Sequence, residues 1–278
     1  MTTQPPSNEA GEILTPQLAK NYIKSHVVIP EQFSTIADQA FLNKTKIHTV
    51  VLPDSLKMIG NKAFSFCTTM TEIRIPESVN HIGHAAFYGC SSLRTCNIPH
   101  LMREVPPTLF RGGKNLQQVP IPPESHIITI QREAFAECSS LEELYLPPGL
   151  KTIQERAFYR CKSLKSMTFP EGLTFIGREA FYFCALEELN LPDSLRHIGQ
   201  AAFFKCNKLL SVTLPSGLKH IGAEAFHGCN RLRVVEFRHD PDYIGEKLIN
   251  RAARIRCYKG SYADKYAQQN EFEVEYID

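Results

Sequence analysis

The sequence predicts an α/β fold: a right-handed solenoid whose curved parallel sheet is built from about nine coils of 23 residues, closed by a small C-terminal α/β cap. Three observations carry this. First, a phenylalanine recurs at Phe41, Phe64, Phe87, Phe110, Phe135, Phe158, Phe181, Phe203 and Phe226, in steps of 23, 23, 23, 25, 23, 23, 22 and 23 residues. Second, the units share one template, P-x-x-L-x-x-I-G-x-x-A-F-x-x-C-x-x-L-x-x-L-x-L, as in "LPDSLKMIGNKAFSFCTTMTEIRI" and "LPSGLKHIGAEAFHGCNRLRVVEF". Third, no unit has enough apolar residues to bury itself, so coil must stack on coil to make one continuous core.

In chain order, residues 1–26 read as an N-terminal polar segment or cap, 27–237 as the solenoid and 238–278 as the C-terminal cap. Within a coil, "LEELYLP", "LEELNLP" and "LLSVTLP" alternate apolar and polar residues, the mark of a short strand with one buried face. The proline that follows cannot donate a ladder hydrogen bond and ends the strand. Stacked at ~4.8 Å, nine coils make a rod on the order of 40 Å long. Glycine after isoleucine (Gly60, Gly83, Gly177, Gly199, Gly222) predicts a corner with positive φ. Gln131 and Gln154 stand at the same place, so either the corner is not strictly left-handed or two coils are strained. The fourth unit, "PHLMREVPPTLFRGGKNLQQVPI", has Leu109-Phe110 for Ala-Phe and Gly113 for Cys, and carries Pro106 and Pro107. There the array is expected to bend or loosen. The extra residues around "PPESHIITI" and the shortened "CALEEL" account for the two irregular steps.

A formal net charge of +2 implies no strong pull toward nucleic acid or acidic lipid. No apolar run approaches the ~18 residues of a membrane-spanning helix, so no membrane insertion is expected. "MTTQPPSNEAGEILTPQLAK" lacks a basic region followed by an apolar one, so no signal peptide is read and a cytoplasmic location is expected from the sequence.

The repeated "AFxxCxxLxxLxLPxxLxxIG" elements resemble the BspA-type, or Treponema-type, leucine-rich repeat, over about three quarters of the chain. The tail "IRCYKGSYADKYAQQNEFEVEYID" is similar to the closing segment of such proteins: a strand, Lys259-Gly260-Ser261, a short helix with Ser261 as N-cap, and a last strand. The resemblance implies a leucine-rich-repeat solenoid acting as a binding scaffold without catalysis. It also implies bacterial surface or secreted relatives, several of them adhesins. It carries over no shared binding motif.

Seven of nine cysteines (Cys67, Cys90, Cys138, Cys161, Cys184, Cys206, Cys229) fall in one column between the Phe and Leu columns. They read as a buried ladder of free thiols. Parallel Cβ vectors disfavour bridging, and no C-x-x-C pair suggests a metal. Cys96 replaces a strand leucine; the state of Cys257 in the cap is left open. A bridge-free core suits a reducing compartment.

Two surfaces are candidates for binding a protein partner. The outward strand positions should line the concave face: Arg74, Asn97, Glu143, Tyr145, Thr168, Glu188, Asn190, Thr213 and Glu236, given an acidic tint by Glu142, Glu143, Glu187 and Glu188. The residue after Ala-Phe gives an aromatic stripe, Tyr88, Tyr159, Tyr182 and Phe204, with His227 next. Each can equally be structural, as a solvated sheet face or a column covering the core edge. His81, His197 and His220 share the place before Ile-Gly and read as surface polar residues, the last two close enough to form a pair. "HDPDY" reads as a turn, and Asn43-Lys44-Thr45 as a sequon without weight outside a secretory route. There is no phosphate loop, nucleophile elbow or zinc motif, so neither an enzyme nor a cofactor is predicted. The function expected is a non-catalytic protein–protein interaction scaffold, acting as an adhesin or host-directed factor. The alternative is an intracellular scaffold or a structural repeat protein with no extracellular ligand.

Overall fold

The computed structural model describes residues 11–277; residues 1–10, with half of the stretch read for a signal peptide, lie outside them. Every paired strand is parallel, and each coil contributes to two ladders. The first uses the L-x-L segment. It runs through His26–Val28, Thr49–Val51, Glu72–Ile73 and Thr95–Cys96, and again through Ser211–Leu214, Val234–Phe237, Arg254–Cys257 and Val274–Tyr276. The second uses the two residues that end at the repeat isoleucine. It comprises a four-stranded sheet from Glu12–Leu14 to His81–Ile82 and a seven-stranded sheet from Glu104–Val105 to Tyr243–Ile244. This second strand, read from the sequence as a corner, is too short for a periodicity to show.

The glycines after isoleucine correct that reading. None has positive φ; the positive-φ glycines are Gly89, Gly112, Gly228 and Gly260. What the position requires is close approach. A Cβ on Gly60 would stand 2.5 Å from the Asp38 nitrogen, and one on Gly222 2.3 Å from the Gln200 nitrogen, both in the preceding coil. Gln131 and Gln154 also lack positive φ, so neither coil is strained there. The left-handed residues fall elsewhere, two per coil. One precedes the repeat alanine (Lys62, Glu133, Arg156, Glu179) and one precedes the cysteine (Phe66, Glu137, Arg160, Phe183). Non-glycine residues pay roughly 1–2 kcal/mol for that conformation. Here it turns their N–H groups onto the next coil: Arg156 and Arg160 donate to the Arg178 and Tyr182 carbonyls at 2.9 and 2.8 Å. Between them Phe158 donates to Ala180 at 2.8 Å. The A-F turn is thus a third parallel hydrogen-bonded edge made of turns instead of strands.

The core runs along the axis. The nine repeat phenylalanines are all buried and stack on one another with centroids 5.1–5.8 Å apart. The least parallel pairs flank the fourth coil, at 14° and 24°. That coil keeps Leu109 and Phe110 in the core, yet the second ladder breaks between His81–Ile82 and Glu104–Val105. Each buried Leu, Ile or Phe adds ~1.5–3 kcal/mol, realised only when the neighbouring coil is in place. At the C-terminus, Arg254–Cys257, helix α2 (Tyr262–Gln269) and Val274–Tyr276 form the cap. Ser261 caps α2, its hydroxyl accepting from the Asp264 N–H at 3.1 Å. The short helix α1 (Pro16–Ala19) is capped in the same way by Thr15.

Candidate protein-binding faces

On the L-x-L face, side chains alternate between core and solvent. Arg74, Glu143, Tyr145, Thr168, Glu188, Asn190 and Thr213 are exposed, Tyr145 at 50%. Asn97 is half-buried and tied down: its amide oxygen accepts from the Ile75 N–H at 2.7 Å and its amide nitrogen donates to the Ile75 carbonyl at 2.8 Å. Glu236 departs from the expectation, being only 7% exposed and paired with Arg238 and Arg256. Register is the cause. The cap strand Arg254–Cys257 extends the ladder past the last coil and sets Arg256 opposite Glu236.

The middle of this face is not a regular sheet. From Thr95–Gln118, a lone bridge, to Ser211–Leu214 no ladder pairing is formed. Two corner bonds remain there, Lys165 N–H to Glu142 and Glu187 N–H to Lys165, each at 3.0 Å. The A-F edge stays bonded at every step of the same stretch. A groove of about 580 Å³ opens here over Gln118, Pro120, Glu143, Tyr145, Ser166 and Thr168. A second of about 1170 Å³ lies over Val51, Glu72, Arg74, Glu77 and Asn97. Burial alone would raise Glu77, but hydrogen bonds from the His100 N–H and ring outweigh it and hold the carboxyl below its ordinary range.

The aromatic stripe is brought together only in part. Tyr159, Tyr182 and Phe204 stack at 4.9 and 5.0 Å, and His227 continues the row at 5.7 Å. Tyr88 sits apart, edge-on to Phe66 at 5.0 Å. Cations flank the rings: Arg111 lies 5.9 Å from Tyr88, Arg156 5.6 Å from Tyr159 and Lys205 5.5 Å from Phe204. Beside them runs an ion-pair ladder through the left-handed column. Arg111 pairs with the buried Glu133, and Arg156 bonds Glu179 at 2.7 Å while standing 3.9 Å from Glu133. Burial opposes the ionisation of Glu179, but Arg156 and Arg178 prevail and hold its carboxyl low. Sequence reading missed this ladder because the residue before alanine carries no periodic signal until its conformation is known.

Two further columns resolve. His197 and His220 stack at 4.4 Å and are sandwiched by Phe175 at 4.7 Å and Tyr243 at 4.6 Å, a four-ring pile in which burial first, then the neighbouring His220, lowers the His197 pKa. His81 lies outside this pile. All nine cysteines are free and buried, Cys257 included. Each of the seven in the column donates its thiol to the phenylalanine carbonyl of the preceding coil at 3.1–3.2 Å, as Cys184 does to Phe158. Asp240, in the "HDPDY" turn, accepts from the Tyr262 N–H at 2.9 Å and anchors the start of α2.

The model of the BspA type leucine rich repeat region matches in six copies, over residues 20–141 and 128–255. The chain belongs to the BspA-type leucine-rich-repeat family. Proteins with such repeats are generally non-catalytic scaffolds that bind protein partners. Among solved structures, this BspA-type chain is similar to a leucine-rich repeat protein from Bacteroides ovatus. The two share 22% identity over 91% of this chain and 84% of that one, with a TM-score of 0.73. It is also similar to the pneumococcal vaccine antigen PcpA, at 18% identity over 91% and 79%, with a TM-score of 0.51. Both likenesses show the fold. No curated protein matches the chain. Among the described residues no group of three or more His, Cys, Asp or Glu is placed to hold a metal, and no helix is long and apolar enough to cross a membrane.

Proposed function

We propose that the chain is a non-catalytic protein-binding scaffold that takes its partner on the L-x-L face and serves as an adhesin or host-directed binding factor. In this reading residues 27–237 are the binding solenoid, and 1–26 and 238–278 are its ends. The observation that carries it is the half-exposed Tyr145 set in a groove among small polar side chains, Ser166 and Thr168. A tyrosine on an open groove is the kind of side chain enriched at the centres of interfaces. The stripe of Tyr159, Tyr182 and Phe204 supports binding less well, because its ring faces are already used in stacking and cation contacts. The adhesin role rests on family membership. An intracellular scaffold has one observation in its favour, nine cysteines without a bridge.

The buried thiols allow a clean test. Thr168→Cys offers one reactive thiol, which a bulky maleimide will label selectively. Proteins of the cells or matrix that the native source contacts are then captured on the labelled and unlabelled forms. Capture of a discrete protein that labelling abolishes supports the face; labelling Arg132→Cys, on the A-F side, leaves it intact. No captured protein, or capture indifferent to the label at position 168, overturns the reading.

A further inference from the structure

Successive coils are joined along three rows: the L-x-L segment, the Ile-Gly strand and the A-F turn. Between the coil of His197 and the coil of His220 only two of these rows are bonded. The Ile-Gly row joins the Gly222 N–H to the Ile198 carbonyl at 2.8 Å and the His220 N–H to the Arg196 carbonyl at 3.1 Å. The A-F row joins the Ala201 and Phe203 N–H groups to the Ala223 and Ala225 carbonyls, each at 2.8 Å. The L-x-L row gives this joint no main-chain bond among the described residues. Its closed ladder starts only with Ser211–Leu214, in the coil of His220 itself, and runs on to the cap. With one row open, the Ile-Gly row decides whether the joint is rigid or can turn about the A-F edge.

On that row two imidazoles close the joint. His197 and His220, both half-buried, lie face to face at 4.4 Å and 5°, with Phe175 against one at 4.7 Å and Tyr243 against the other at 4.6 Å. Neutral, the four rings form one apolar pile. A single proton is tolerated, because an imidazolium against an aromatic face is a cation–π contact. A second proton sets like charges 4.4 Å apart, with a ring on either side and no room for water between them. Phe175 and Tyr243, which face the pair from the neighbouring strands, carry no positive charge in any state. Lys151, Arg196 and Lys219, one residue before Thr152, His197 and His220, and Arg178, at the place of Gln200 one coil earlier, add to the repulsion. Arg196 is turned partly aside, donating to the Asp193 and Leu195 carbonyls at 2.6 and 3.2 Å. Asp242 and Glu246, on either side of Tyr243-Ile244-Gly245, oppose it from one end only.

We infer that the His197–His220 stack makes this joint acid-sensitive: when both imidazoles are protonated the pile parts, the Ile-Gly row between the two coils loosens, and the C-terminal coils swing on the A-F edge. The two protons belong to the pair and are taken up in two steps. Burial, and then the neighbouring His220, lower the His197 pKa from its ordinary 6.5. As pH falls below ~6.5 the unfolded chain therefore binds more protons than the folded one. The stability that the pile contributes is complete above that pH and is lost as pH falls toward the folded pKa.

The test is made on the full chain, by NMR of the histidine rings and by amide hydrogen exchange at pH ~7.5 and ~5, corrected for the intrinsic pH dependence of exchange. In the wild type the Gly222 amide should exchange at least about tenfold faster at the lower pH. His220→Phe keeps the stack, as Phe175 does at the same place, and removes the second charge. It should hold the change at Gly222 below about twofold and move the His197 titration midpoint upward. Asp193 accepts from the Ser216 N–H at 3.1 Å across the same joint and is untouched by that change, so the comparison removes its share of the acid response. His81→Gln, at the same repeat place but outside the pile, should respond as the wild type does. If His220→Phe fails to fold in a thermal melt, His197→Phe takes its place with the same exchange result expected. Acceleration that survives in the phenylalanine variant, or none in the wild type, overturns the inference. So does a pair of imidazoles that titrate in the wild type as two independent groups.

Discussion

In seven coils the residue at the cysteine place fills a small apolar gap and also reaches a carbonyl one coil away; Gly113, at that place in the fourth coil, has no side chain to do either. The thiol does both: Cys184 is buried and donates to the Phe158 carbonyl at 3.1 Å. Alanine does only the first, so Cys184→Ala should cost ~1–2 kcal/mol in a urea melt, from the cavity and the lost bond together. The same burial raises the pKa of every thiol in the column, Cys67 and Cys229 to about 12. In the unfolded chain these groups ionise near their ordinary value of 9.0. Between those values the unfolded state holds fewer protons than the folded one, so stability is complete below pH ~9 and falls as pH rises toward the folded pKa. Each such thiol contributes a slope of up to ~1.4 kcal/mol per pH unit. Chemical denaturation at pH 8, 9.5 and 10.5 should show a midpoint that drops steeply over the last two. A flat profile would remove the buried, protonated column. The column's burial was legible in the sequence from its place between Phe and Leu. Its hydrogen bond was not, because the acceptor is main chain and only the coil's path brings it within reach.

At the scale of the element, the A-F turn and the Ile-Gly strand set how closely coils approach. Sequence reading saw the glycines and assigned them the wrong demand. The pattern "IG" cannot distinguish a left-handed corner from a place where the preceding coil's main chain lies against Cα. Gly222→Ala tests this. Its Cβ would meet the Gln200 nitrogen at 2.3 Å, and main chain cannot rotate aside. A loss of about 3 kcal/mol is expected, at the upper end of overpacking changes. The cap meets a different demand. Leu248 stands where Phe226 stands one coil earlier, and its N–H has no further coil to bond. The Tyr266 hydroxyl accepts it at 3.2 Å and donates to the Gly245 carbonyl at 3.0 Å. Tyr266→Phe keeps the ring and removes both bonds, and should lower stability by ~1–3 kcal/mol with the cap still seated. The short helix after Lys259-Gly260-Ser261 was readable from its N-cap serine. The hydroxyl of Tyr266 was not, since its partners are main-chain atoms of the last coils.

Across the whole molecule, the period was plain in the sequence and the regularity was overestimated. "LEELYLP" and "LEELNLP" alternate as cleanly as any segment, yet both lie where the L-x-L ladder is open. Alternation fixes which side chains face the core. Whether neighbouring coils then exchange hydrogen bonds depends on their relative tilt, which no single coil encodes. Hydrogen exchange should report the difference directly. Amides of residues 143–146, 166–169 and 188–191 should exchange fast although the Leu144 and Leu189 side chains are buried. Those of Phe158 and Phe181, which donate across the A-F edge at 2.8 and 2.7 Å, should be among the slowest. Uniform protection along the strand face would mean that the ladder is in fact closed.

The A-F edge has a consequence for how the chain comes to be folded. Each of its bonds joins one coil to the next, and none reaches farther. At ~5–20 residues per second, a ribosome releases one 23-residue coil every few seconds, far longer than such local closures take. Each new coil therefore meets a finished neighbour as it emerges, and the solenoid can be laid down in the order in which it is translated, without waiting for its C-terminal end.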